Sequence, residues 1–300
     1  MAFIRNKTCV SLDIQDHVIR FVDAKEPDIH AIQAFGERSL PSGIIEKGKI
    51  LDREALRKIV KACAKEWKIR RRHIQFHVPD AFVFLRKVEL PDQVAEEEIQ
   101  SFLFMEVGTS IPLPFEDPVF DYMVLPANKA GHREILLIAS SKPIVEEYHD
   151  ILASAGLKPE KADISPLSVY RLLHALGLTN PEDHLMCVEL YSSMMTVSVY
   201  YEHKPYFIRQ LQGAAGADSF AEIDRIANFY RYSLNAGDAR ISKIMLIGDR
   251  PHLKNLEESL AGSLDIAVET LEDYKIQTLS GKKMPQSFYL TLGLALKGGS

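Results

Sequence analysis

One hairpin is written twice in this chain. Cys9–Val22 reads Cys-Val-Ser-Leu-Asp-Ile-Gln-Asp-His-Val-Ile-Arg-Phe-Val, with β-branched residues alternating around a polar turn near Gln15–His17. Leu185–Tyr201 reads Leu-Met-Cys-Val-Glu-Leu-Tyr-Ser-Ser-Met-Met-Thr-Val-Ser-Val-Tyr-Tyr, again strand, acidic residue, polar turn, strand. Asp13 and Glu189 take matching places at the end of the first strand. Ile29–Phe35 and Lys204–Leu211 supply a third strand to each copy. A repeat of this kind restricts the chain to a fold built from two related halves.

At 300 residues there is enough chain for two cores. A hydrophobic content of 46% with 26% charged residues excludes a disordered chain, and a net charge of −5 gives no global basic field for nucleic acid. The three cysteines, Cys9, Cys63 and Cys187, lack metal spacing; two fall in apolar strand patterns, which suits a reducing cytoplasm. The N-terminus has no apolar signal region, and no uncharged apolar run reaches the ~18–20 residues that span a bilayer. Work at a membrane would need recruitment by something else.

Between the hairpins the pattern is mixed α/β. Pro41–Ile50 reads as an irregular connection. Asp52 caps a helix with Leu56, Ile59, Val60, Cys63 and Trp67 on its apolar face, followed by a basic cluster through Arg70, Arg71 and Arg72. Ile74–Val78 and Phe82–Val88 read as strands, Ala95–Val107 as a helix opened by three glutamates, and Phe120–Leu125 and Arg133–Ala139 as a strand pair. Helices follow from Ser141 to Ala155 and from Ile164 to Leu173. The second half adds a helix through Phe220–Tyr230, a strand at Lys243–Ile247, a helix from Pro251, a strand at Leu264–Val268, and an apolar segment at Ser287–Leu296.

Several local phrases carry a resemblance through their order and spacing: Gly43-Ile-Ile-Glu-Lys-Gly-Lys-Ile50, Phe84-Leu-Arg-Lys-Val-Glu-Leu-Pro91, Ile111-Pro-Leu-Pro-Phe115, Asp121-Tyr122, Ala155-Gly-Leu-Lys-Pro159, Lys204-Pro-Tyr-Phe-Ile-Arg209 and Gly293-Leu-Ala-Leu296. With the duplication, the chain resembles the PilM family of type IV pilus assembly proteins, within the actin-like ATPase superfamily. The resemblance implies subdomain 1A over 1–78, an inserted 1C-like subdomain, as in FtsA, over 79–157, a return helix of 1A and linker over 158–180, and a second actin-like half, 2A, over 181–300. It implies a cytoplasmic protein that binds the N-terminal tail of a PilN-like membrane protein and meets the pilus motor complex. Phe82, Phe84, Ile111, Pro112 and Phe115 are candidates for the wall of that peptide groove. Arg70, Arg71 and Arg72 are candidates for contact with an acidic partner or anionic lipid. FtsA itself is not expected, because the chain closes at Leu296-Lys-Gly-Gly-Ser300 without a targeting helix.

The family's ATP cleft is degenerate here. Actin-like phosphate loops resemble Asp-x-Gly, where glycine lets backbone amides close on phosphate. This chain has Asp13-Ile-Gln15 and Glu189-Leu-Tyr191, and Gly248-Asp-Arg where the family has a glycine pair. Gln212–Ser219 is too short to hold subdomain 2B. Asp13, Gln15, Glu189, Tyr191 and Gly248 are therefore read as remnants of a nucleotide site. The expectation is a non-enzymatic scaffold of a pilus or DNA-uptake machine, comparable to the reduced actin-like part of GspL, with no cofactor. The alternative is an ATP-binding switch. His73 and His77 fall on a strand without further ligands, and Ser192, Ser193 and His203 lack a nucleophile elbow, so neither metal nor hydrolase chemistry is expected.

Overall fold

The computed structural model describes residues 10–125, 131–191, 194–212, 217–234, 239–249 and 253–298. Cys9, Asn128, Ser192, Ser193, Gly213, Gly216 and Pro251 lie outside them. The first half comprises β1 (Val10–Ile14), β2 (Val18–Ala24), β3 (Ile32–Ser39), the short pair β4 (Ile45–Glu46) and β5 (Lys49–Ile50), α1 (Arg53–Glu66) and β6 (His73–His77). An inserted module follows with β7 (Val83–Glu89), α2 (Ile99–Glu106), β8 (Pro118–Val124) and β9 (Glu134–Ser141). The chain returns through α3 (Lys142–Ser154), β10 (Lys158–Asp163) and α4 (Ser165–Ala175). The second half holds β11 (Leu185–Tyr191), β12 (Met194–Tyr201), β13 (Lys204–Gln212), α5 (Ala217–Phe229), β14 (Lys243–Gly248), α6 (Leu253–Ser263), β15 (Ala267–Thr270) and α7 (Tyr289–Ala295).

The duplication is exact in topology. One sheet runs β3-β2-β1-β6-β10 and the other β13-β12-β11-β14-β15. Each begins as an antiparallel meander, then adds two parallel strands across helical connections. Asp13 pairs with Arg20 across the first hairpin and Glu189 with Thr196 across the second, so both carboxylates stand at one register from their turns. Every residue of β1, β2 and β11 is buried, as expected of strands covered on both faces.

Three local expectations change. Pro41–Ile50 is not wholly irregular: Ile45 and Glu46 pair with Ile50 and Lys49, and Lys47 and Gly48 turn the corner with positive φ. The inserted module ends near Ser141 rather than Leu157. Its three-stranded sheet, β7-β9-β8, packs Val88, Ile135 and Leu137 against Ile99 and Leu103 of α2. In contrast, Tyr148, Ile151 and Leu152 of α3 join the core under α1. Lys158–Asp163 is an additional strand, a polar edge whose outward residues hide the alternation.

The two halves share one internal layer, made by α4 and α7. Val169, Leu172 and Leu173 of α4 and Leu290, Leu292 and Ala295 of α7 pack with Val22 and Ile32 of one sheet and Cys187 and Met245 of the other. All seven residues of α7 are buried. Each buried leucine contributes roughly 1.5–3 kcal/mol. The helices meet closely enough that a Cβ on Gly293 would stand 2.0 Å from the Ser168 carbonyl oxygen. Gly293→Ala is therefore expected to cost about 3 kcal/mol, read as a lower urea midpoint at unchanged slope. An unchanged midpoint would mean the two helices separate freely.

Candidate functional site

The two hairpin turns, the start of α4 and the segment after β6 converge on a cleft between the halves. Its volume is about 100 Å³, and its lining includes Asp13, Gln15, His77, Asp80, Glu189 and Tyr191. That is below the ~300–1,000 Å³ typical of small-molecule pockets. Four of the five sequence-derived remnants, Asp13, Gln15, Glu189 and Tyr191, line this one space. The fifth, Gly248, is not among the lining residues: a Cβ there would lie 2.0 Å from the Leu190 carbonyl oxygen, so glycine allows β14 to close against β11.

Asp13 is fully engaged. Gln15 Nε2 donates to its Oδ2 at 2.8 Å, and His77 Nδ1 lies 3.1 Å from its Oδ1. His77 Nε2 continues to Ser168 Oγ at 2.8 Å. The order Asp–His–Ser has the form of a hydrolytic triad, but its surroundings do not support a nucleophile. Ser168 is 0% exposed beneath α7, and Arg171 Nη1 donates to the same oxygen at 3.2 Å. This chain of bonds ties β1 to β6 and α4. In the sequence His77 was weighed only for metal binding, which was not expected, and no other role was read for it. The signal that it mattered was its place at the end of a central parallel strand, where α/β sheets gather their sites.

A second polar chain crosses between the halves. Thr196 Oγ1 of β12 donates to Asp80 Oδ2 at 3.1 Å, and the Ser165 hydroxyl donates to the same carboxylate. Burial pushes the Asp80 carboxyl above its ordinary range, against the pull of Ser165, His77 and Thr196. Glu189 is 2% exposed, and among the described residues neither of its carboxyl oxygens has a hydrogen-bond partner. Burial, with Asp80 and Asp13 adding repulsion, raises its pKa well above the usual carboxylate value. The Tyr191 hydroxyl is likewise buried without a partner among the described residues, while its ring joins the shared core.

An ion pair bolts the two halves together, starting from the residue that pairs with Asp13 across the first hairpin. Arg20 Nη2 on β2 donates to Asp249 Oδ2 at 2.8 Å, directly after Gly248 in the opposite half. The side chains are 6% and 15% exposed. Glu37 accepts from Arg20 Nε at 2.9 Å, and His17 Nε2 lies 3.7 Å from Asp249. Burial opposes ionisation of Asp249, yet hydrogen bonds from His17 and Arg20 outweigh it and hold the carboxyl below its ordinary range. Arg20 had no sequence signal, because its partner is 229 residues away.

The other candidates separate. Phe82 lies at the seam of the module, its ring 3.4 Å from where a Cβ on Gly48 would stand, and Phe84 and Phe115 are half-buried. Pro112 is exposed, with its carbonyl accepting from Arg86 Nη1 at 3.2 Å. Ile111 leaves the groove set: it is 6% exposed within the module core, beside Ile99 and Leu103. Arg72 leaves the basic patch, because its guanidinium makes two bonds to Asp23, at 3.1 and 2.9 Å. Arg70 and Arg71 remain exposed. Among the described residues, no group of three or more His, Cys, Asp or Glu side chains is placed to hold a metal ion. No described helix is long and apolar enough to cross a membrane.

The fold agrees with comparisons to known proteins. The family described as type IV pilus assembly protein PilM matches residues 11–230, which hold the first half, the inserted module and the second half as far as the end of α5. The chain belongs to the PilM family. Among solved structures, it resembles the PilM-PilN type IV pilus biogenesis complex, with a TM-score of 0.75 and 19% identity over 96% of this chain and 98% of that one. It also resembles ethanolamine utilization protein EutJ from Carboxydothermus hydrogenoformans, with a TM-score of 0.54 and 12% identity over 97% and 89% of the two chains. The cytoplasmic domain of EpsL, an inner membrane component of the type II secretion system of Vibrio cholerae, gives 0.50 and 12% over 96% and 94%. No curated protein sequence matches. This PilM family member therefore has the duplicated actin-like fold, and between β13 and α5 only four residues stand where a larger subdomain was expected to be missing.

Proposed function

We propose that this chain is a non-hydrolysing scaffold of a type IV pilus or related DNA-uptake assembly. It works at the inner face of the cell membrane, where it captures the cytoplasmic N-terminal tail of a PilN-like membrane protein and presents other faces to the motor complex. Family membership and the likeness to a PilM–PilN complex support the partner. The observation that carries the non-hydrolysing part is the small volume of the cleft, about 100 Å³, between halves that the Arg20–Asp249 pair also ties together. Within the cleft, Asp13 is held by Gln15 and His77 instead of being presented to a metal-bound water. Tyr191 occupies the turn position equivalent to Gln15.

Calorimetry with ATP and magnesium tests this reading. No saturable heat is expected; binding in the ~1 μM range, worth about −8 kcal/mol, would favour the ATP-switch reading. A second titration uses a synthetic peptide of the N-terminal tail of a PilN-like protein from the same cell. We expect saturable binding, weakened about tenfold or more by Phe84→Ala if Phe84 lines the groove. Equal affinity for both proteins would move the site away from β7.

A further inference from the structure

The buried polar atoms that lack a hydrogen-bond partner are not scattered through the molecule. Among the described residues there are ten of them, and five belong to four residues that line the cleft: Gln15 Oε1, His17 Nδ1, both carboxyl oxygens of Glu189 and the Tyr191 hydroxyl. Glu189 and Tyr191 are 2% and 8% exposed, so bulk water does not serve them. The Ser165 hydroxyl, which lies close to Glu189, is given to Asp80 instead. Native chains seldom leave buried polar groups in this condition, and a set of them on one cavity calls for a common explanation.

Their chemistry agrees. The Glu189 carboxyl and Gln15 Oε1 present acceptors, and the Tyr191 hydroxyl accepts as well as donates. Asp13 and Asp80 line the same cavity, so three carboxyl groups share it. Asp13 has His77 beside it, whereas Glu189 and Asp80 have no lysine or arginine within ion-pair distance among the described residues. Lys47 also lines the cavity, but it is exposed on the β4–β5 turn. Such surroundings select a cation. Among the described residues no three of these carboxylates and histidines are placed to share a metal ion. The acceptors come from separate walls, Gln15 after β1 and the other two on β11, and an ammonium donates along three separate directions. Ile14, Val78, Met194 and Leu290 add apolar surface for a short alkyl chain. A volume of about 100 Å³ admits a few heavy atoms and no nucleotide.

We propose that the cleft binds a small alkylammonium ion, with Glu189 as its counter-ion and the Gln15 side-chain carbonyl and Tyr191 hydroxyl as further acceptors. Entry of the cation sends the Glu189 proton to solvent, because a carboxyl beside a positive charge ionises more readily. The other ionisable groups around Glu189 are Asp13 of β1, His77 of β6, Asp80 after it, and Tyr191, Cys187 and Tyr200 of its own sheet. Asp80 and Asp13 repel an ionised Glu189, and the bound cation offsets that repulsion. Gln15 belongs to one half and Glu189 and Tyr191 to the other, so the ion also ties the halves together. This inference does not depend on the adaptor reading.

Calorimetry of the full chain with methylammonium chloride at neutral pH provides the test, run in phosphate and in HEPES, which differ in ionisation enthalpy. Saturable one-to-one binding is expected, with heats that differ between the buffers because a proton leaves. Potassium and tetramethylammonium chlorides, which have no N–H to donate, should bind far more weakly. Glu189→Gln keeps the shape and loses the charge; it should weaken binding roughly tenfold or more and abolish proton release. Tyr191→Phe should weaken it roughly threefold or more. Neither variant removes a hydrogen bond made within the described chain, so both should fold, as circular dichroism melts will show. No saturable binding, equal binding of potassium or tetramethylammonium, or a Glu189→Gln variant that binds like the wild type would overturn the proposal. So would binding that emerges only in Lys47→Ala, since Lys47 would then be the occupant.

Discussion

The Arg20→Met variant is expected to lose about 3 kcal/mol of stability at neutral pH, the low end for removing one partner of a buried ion pair. Methionine keeps the apolar stem of arginine and loses the guanidinium, which stands 5.9 Å from the centroid of the Phe288 ring. What it removes is the donor set for Asp249, leaving a mostly buried carboxylate with His17 at 3.7 Å. The penalty should fade as pH falls below the ordinary carboxylate range, because Asp249 then becomes neutral in folded and unfolded chains alike. Adding Asp249→Leu should recover most of the loss, since a matched apolar pair removes both charges. Urea melts of the wild type and both variants at neutral and acidic pH read the effect. A double variant as unstable as the single one would show that the bolt acts through something other than its charges.

Glu189→Gln has the opposite sign. In the folded chain Glu189 is held protonated by burial and by the nearby Asp80 and Asp13, whereas in the unfolded chain it ionises near the ordinary carboxylate value. Above that value the folded protein binds the extra proton, so stability falls as pH rises. Glutamine has no proton to lose and removes this slope. The variant should match the wild type near pH 4 and exceed it by about 1–3 kcal/mol at pH 7, the range for a buried polar group without partners. Thermal melts from pH 4 to 8 decide the matter. A constant difference across that range would mean Glu189 is ionised in the folded chain and held by a partner.

The elements that were legible are those whose signal is local. Asp52 accepts from Ala55 N–H at 2.9 Å and opens α1, as its position before an apolar helical period implies. Both hairpins read correctly because alternation and turn residues lie within a few positions of one another. Gly156 and Gly177, predicted helix stops, both take positive φ. The illegible elements depend on distant chain. β10 is polar and becomes a strand because it completes the edge beside β6. α7 looks like a minor apolar tail, yet it is wholly buried because two sheets and α4 surround it.

The candidate site divides in the same way. Asp13 and Glu189 were paired by the repeat itself, and the glycines absent at Gln15 and Tyr191 are visible in the letters. The sequence thus determined the duplicated fold, its family and the loss of the phosphate-loop pattern, since these rest on local period, turn chemistry and order along the chain. Only the tertiary structure decided what replaced that pattern: the Arg20–Asp249 bolt, the Asp13–His77–Ser168 chain, and the buried carboxyl of Glu189. The physical reason is range. Hydrogen bonds and desolvation act over a few ångströms of space, and folding joins residues that no spacing along the sequence connects.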